Sequence, residues 1–197
     1  MLSWLGRALG AARADHGRVW MLVCALFGSG ALLLFAVGEP GRWTLQRDAL
    51  EPWRLFSAAL WHWNALHLAG NLAALAVLAL LGRRAALPLR AAAAWLLAWP
   101  MTQALLLLHP ALPEFGGLSG VVHAGVLIAG LHLLRRQRVL GLLLLAGLMG
   151  KLLVEQPWGP LLRPNDWWGG ASLPLAHATG VLSGLIAAGL LRRRTRR

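Results

Sequence analysis

Six long apolar stretches alternate along the chain with short segments of arginine, proline, glycine and tryptophan. Each approaches the roughly 20 residues that a helix needs to cross the hydrocarbon layer of a bilayer. The pattern predicts an all-α polytopic membrane protein, a six-transmembrane-helix bundle with spans near 19–38, 55–81, 90–108, 118–134, 139–154 and 174–191. The second stretch is longer than a span requires. Its first part, "WRLFSAALWHWNALH", is aromatic and partly polar and reads as a loop or interfacial helix leading into the membrane. Pro88, Pro110, Pro113, Pro157, Pro160, Pro164 and Pro174 mark connections or helix starts, whereas Pro100 falls inside the third span, where a kink is expected. The run from Val19 to Val37 is too long for a signal-peptide core and has no small-x-small cleavage pattern after it, so it reads as a retained helix.

Composition agrees with this reading. Hydrophobic residues make up 58% of the chain and charged residues 13%, too little polar surface for a soluble domain. The net charge of +12 suggests nucleic acid at first sight, but the arginines sit in blocks between apolar runs, which is a topology signal. Arg7, Arg13 and Arg18, then Arg83, Arg84 and Arg90, then Arg135, Arg136 and Arg138, then Arg192, Arg193, Arg194, Arg196 and Arg197 all fall on one side of a six-span chain. The other side has Arg42, Arg47, Arg54 and Arg163, with Glu39, Asp48, Glu51, Glu114, Glu155 and Asp166. The positive-inside rule therefore places both termini in the cytoplasm, with the basic tail 192–197 against anionic headgroups and no nucleic-acid partner. Trp43, Trp53, Trp61, Trp63, Trp158, Trp167 and Trp168 collect on the outer side, as an interfacial belt would. The single cysteine, Cys24, lies in the first span and reads as a packing residue.

Polar residues inside a membrane are costly and mark function. Ser119 opens the fourth span from the outer side, His177 lies about one turn into the sixth, and His67 and Asn71 lie early in the second. Topology alone thus puts these four at one depth in the outer half of the bilayer. A serine hydroxyl needs an adjacent base, and neutral imidazole suits the task. Ser119 follows Gly116, Gly117 and Leu118 at a helix start, where free N–H groups can stabilise an oxyanion. His67 and Asn71, four apart, face one way and can donate to the same oxyanion. No carboxylate is expected at this depth, which favours a Ser–His dyad over a triad. His123, one turn after Ser119, reads as a packing and hydrogen-bonding partner for His177. Gly117, Gly120 and His62 read as supporting residues. Gly180 and Gly184 would let the fourth and sixth spans approach closely, and Ser183 reads as a small packing residue. His109 and His132, near span ends, read as interfacial. Lys151 and Glu155 read as an interfacial ion pair. The loop 156–173 reads as a candidate lid. Without HExxH or a close carboxylate partner, no metal site and no cofactor are expected.

Three ordered motifs resemble the rhomboid family of intramembrane serine proteases: "EPWRLFSAALWHWNALHLAGN" with Trp53, Arg54, His67 and Asn71; "GLSG" with Ser119; and "AHATGVLSG" with His177, Gly180 and Gly184. The resemblance covers roughly residues 50–190 of a single membrane domain spanning 1–197, with residues 1–18 as a cytoplasmic N-terminus. It implies Ser119 as nucleophile, His177 as base and then acid, and an oxyanion hole of His67, Asn71 and the Ser119 N–H. His123 stands where many bacterial rhomboids have a tyrosine. "GLSGVVHAG" with "KLLVEQ" is most similar to the rhombosortase branch. That resemblance implies cleavage of a C-terminal Gly-Gly-type sorting tail of secreted or surface proteins, on the periplasmic side of a bacterial inner membrane. Transfer of the new C-terminus to a lipid or amine is a further step the likeness leaves open. The partners it implies are membrane-anchored proteins with a C-terminal hydrophobic span, and membrane lipids. A general rhomboid protease acting on single-span proteins is the alternative within the class. An inactive client-binding relative would lack Ser119 or His177, and a small transporter would show an inverted repeat.

Overall fold

The structure is a computed structural model that describes residues 17–49, 51–165 and 170–192. Expectations for Arg7, Arg13, Asp166, Trp167, Trp168 and most of the basic tail lie outside the described residues. Six long helices dominate: α1 (Arg18–Val37), α4 (Ala65–Arg84), α5 (Leu89–Leu106), α6 (Ser119–Leu133), α7 (Arg138–Glu155) and α8 (Pro174–Leu190). Two short helices, α2 (Pro40–Trp43) and α3 (Arg54–Leu60), lie between α1 and α4. A hairpin of β1 (Arg163–Asn165) and β2 (Gly170–Ser172) joins α7 to α8, with Arg163 opposite Ser172. By length and composition, α1 and α4 are apolar enough to cross a membrane, while α6 and α8 are shorter apolar helices. The expected second stretch, 55–81, divides: α3 ends at Leu60, and α4 starts at Ala65 and continues to Arg84. Asn64 enforces the break, because its side chain accepts the His67 N–H at 2.8 Å and caps α4.

Tryptophan and glycine set the packing. Trp20 of α1 stacks on Trp95 of α5 at 4.3 Å between ring centres and donates its indole N–H to the Leu78 carbonyl of α4 at 2.9 Å. A Cβ on Gly82 would fall 2.1 Å from the Trp20 ring. Trp95 donates in turn to the Val121 carbonyl of α6 at 2.7 Å. Phe27 meets Trp95 and Trp99 edge-on. Two rings thus tie four helices, and each of these two buried indole N–H groups is satisfied, as an apolar interior demands. Cys24 is buried in the same cluster. Outward faces are apolar too, with Leu22, Leu33, Val77, Leu80, Leu143 and Leu190 each 60% or more exposed, which suits contact with lipid.

The seam between α6 and α8 is closer still. A Cβ on Gly180 would lie 1.9 Å from the Gly120 carbonyl oxygen, and one on Gly184 2.9 Å from that of Ala124. Small residues one turn apart on both helices let the backbones touch. Within α8, Ser183 is fully buried.

The segment 41–54 is fastened to the helices and loops beyond it. Arg54 is buried, pairs with Glu51, and donates to the carbonyls of Gly41 (2.9 Å) and Thr44 (2.7 Å). Ser57 donates to the Trp43 carbonyl. Leu45 and Phe115 exchange backbone hydrogen bonds at 2.8 and 3.0 Å, and Thr44 and Gln46 both bind Glu114. Arg47 caps the carbonyls of Leu107 and His109. Residues 107–116, which lead into Ser119, are thereby held from outside. Trp53, Trp63 and Trp158 are exposed, as expected of a belt, but Trp61 is buried against Gly38 and Gly116. It is a packing residue, because both glycines yield their side-chain space to its ring.

Candidate active site

A cavity of about 520 Å³ opens where α4, α6, α7, the β2 strand and the start of α8 converge, lined among others by His67, Asn71, Ser119, His123, Glu155 and His177. Ser119 is the first residue of α6 and has no i−4 partner for its N–H. Gly117 turns the chain into the helix with φ +148°, a region that favours glycine, and donates its N–H to the Ala58 carbonyl at 2.9 Å. A Cβ there would also come within 2.7 Å of the His67 ring. One glycine thus serves the turn, the anchor to α3 and the placement of His67.

The α6–α8 seam brings His177 onto the serine. His177 Nε2 lies 3.0 Å from Ser119 Oγ, and its Nδ1 lies 2.6 Å from Glu155 Oε2. With the carboxylate ionised, Nδ1 is the donor and Nε2 is free to accept the serine O–H. Lys151, one turn before Glu155, pairs with the other carboxylate oxygen. The sequence reading that no carboxylate shares this depth is therefore corrected. The Lys151–Glu155 pair forms as the spacing predicts, but α7 ends beside the start of α8 and delivers Glu155 to the histidine.

His123 stacks on His177 with ring centres 4.1 Å apart and planes 13° apart, and donates Nδ1–H to the Ser119 carbonyl at 2.6 Å. The stack that holds His177 on its face is thus itself anchored to the serine. Asn71 already has partners for its amide. Its amide donates to His62 Nε2 at 3.0 Å and to the His67 carbonyl at 3.2 Å. His62 is fully buried and donates Nδ1–H to the Leu60 carbonyl at 3.0 Å. Burial above all, then repulsion from His67, pushes its imidazole down to about 4, so it is neutral and accepts from Asn71. His109 and His132 are absent from the cavity lining.

Among the described residues, His123, Glu155 and His177 offer ligand atoms within 4.8 Å of one another, which a divalent cation could bridge. Hydrogen bonds to one another and to Ser119 already engage both histidine Nδ1 atoms and the carboxylate. The group is a hydrogen-bonded chain from carboxylate to hydroxyl. Such a chain can take a proton from the hydroxyl as its oxygen attacks a carbonyl.

Comparison with curated proteins and with solved structures gives no match. The family model described as Rhomboid domain matches residues 49–194, most of the chain, and takes in Ser119, His177, His67 and Asn71. The chain belongs to the rhomboid family of intramembrane serine proteases.

Proposed function

We propose that Ser119 is the nucleophile and His177 the general base of a protease that cuts membrane-anchored proteins near the outer face of the bilayer. The observation that carries this reading is the 3.0 Å approach of His177 Nε2 to Ser119 Oγ at a helix start that opens into a cavity. Ser119 Oγ attacks the scissile carbonyl carbon while its proton passes to His177 Nε2. The oxyanion falls to the Ser119 N–H and to His67, with Asn71 exchanging its 3.2 Å bond to the His67 carbonyl for the developing charge. His177 then protonates the departing amine as the C–N bond breaks. Water, deprotonated by His177, hydrolyses the acyl-enzyme.

The six long helices cross the membrane in this reading, with both termini cytoplasmic and the cavity toward the periplasm of a bacterial inner membrane. The distribution of arginines supports that orientation. A helical substrate hides its peptide bonds, so cleavage needs a segment that unwinds. Gly-Gly-type sites unwind readily, glycine costing roughly 1 kcal/mol per residue in a helix. This supports the sorting-tail substrate: a small-residue motif, one span and basic residues.

A cell-based reporter bearing such a tail tests the reading. Wild type is expected to cleave it, while Ser119→Ala and His177→Ala leave it intact. Mass analysis of the new C-terminus separates hydrolysis from transfer to an amine or lipid. Cleavage of an ordinary single-span protein but not this reporter would keep the protease and remove the sorting substrate. Cleavage that survives Ser119→Ala would remove the mechanism.

A further inference from the structure

We infer that Glu155 is a positioning residue for His177, so that the reacting unit is a Ser–His–Glu relay rather than a two-residue pair. The inference rests on the protease reading above. Its ground is the 2.6 Å contact between Glu155 Oε2 and His177 Nδ1, on the ring edge opposite Ser119.

Three features make this more than a surface ion pair. The carboxylate divides its oxygens, Oε1 toward Lys151 and Oε2 toward His177, so the lysine leaves the histidine contact intact. The His177 ring is held on its face by His123, on one edge by Glu155, and points its remaining nitrogen at Ser119. Finally, His177 is buried, so an imidazolium formed during attack has little water to stabilise it, and the adjacent carboxylate supplies that stabilisation. Glu155 fixes the tautomer with hydrogen on Nδ1. It remains ionised throughout, and the proton taken from Ser119 stays on His177 until the leaving amine receives it.

The tautomer gives a test that a merely structural role would not meet. The amide of a Glu155→Gln variant fills the same volume but can donate to Nδ1, favouring the tautomer with hydrogen on Nε2. That tautomer cannot accept the serine proton. We would measure, on the full-length protein in detergent, the rate of Ser119 labelling by a fluorophosphonate probe, together with kcat and KM on the reporter. Glu155→Gln is expected to lose about 100-fold or more in kcat and in labelling rate, with KM within about twofold. Glu155→Asp should recover part of the loss. Lys151→Met, which keeps the carboxylate, should stay within about fivefold of wild type. Thermal unfolding of each variant identifies a misfolded chain, and a folded Glu155→Asp then decides the matter by its partial rate. Labelling and kcat within about threefold of wild type in Glu155→Gln would overturn the inference while leaving the protease intact. A wild-type protein labelled no faster than Ser119→Ala would remove the protease reading and this inference with it.

Discussion

At the scale of single residues, His62 lies behind the cavity lining yet sets what Asn71 can do. Its value near 4 against an ordinary 6.5 has a consequence for stability. The unfolded chain binds a proton that the folded chain refuses, so this contribution is complete above pH 6.5. It is lost as pH falls from 6.5 toward 4, and amounts to about 3 kcal/mol at most. Thermal unfolding in detergent across this range should show a slope that His62→Gln reduces. Ser119, His177, His67 and Asn71 can be found from sequence because the arginine pattern predicts one depth for them, and all four line one cavity. Glu155 cannot be found in the same way. Its spacing from Lys151 is locally sufficient to explain both residues, and its contact with His177 depends on a hairpin between α7 and α8. The one signal in the chain is its place as the last residue of α7, on the side where the predicted topology also puts the start of α8. Asn71 hides a partner for a related reason: helical spacing relates it to His67, whereas His62, nine residues earlier and outside the helix, holds its amide.

At the scale of elements, the long helices are legible from apolar runs, and the aromatic, partly polar opening of 55–81 is legible as a separate lead-in. What composition does not give is the residue at which the chain breaks: Asn64 sets it by capping α4. The glycines show how contact, rather than propensity, fixes an element. Gly147 and Gly180 both lie in helices, yet a Cβ on Gly147 meets nothing within 4 Å. Gly147→Ala should raise stability slightly, by up to about 1 kcal/mol. Gly180→Ala must push α8 off the α6 backbone and should cost about 2 kcal/mol or more. Because the seam also sets the distance from Ser119 to His177, probe labelling should fall in Gly180→Ala and persist in Gly147→Ala. Parallel melting and labelling curves for the two variants check both expectations.

At the scale of the whole molecule, two assemblies meet at the site. One is the tryptophan-tied core of α1, α4, α5 and α6. The other is the outer framework, where Arg54, Thr44 and the Leu45–Phe115 bridge hold the approach to Ser119. Breaking that framework with Arg54→Ala removes the Arg54 hydrogen bonds to the Gly41 and Thr44 carbonyls and its ion pair with Glu51. It should lower thermal stability by roughly 2–3 kcal/mol, a loss that unfolding in detergent would register. The framework also reaches beyond the segment that the family model covers. The family match begins at residue 49, whereas Thr44, Leu45, Gln46, Arg47 and all of α1 precede it. A chain cut at residue 49 would keep every residue assigned a chemical role here, yet strip Trp20 and Phe27 from Trp95 and Leu45, Thr44, Gln46 and Arg47 from the approach to Ser119. The segment that the family model covers and the set of residues packed around Trp95 and the approach to Ser119 are different lengths of the same polypeptide.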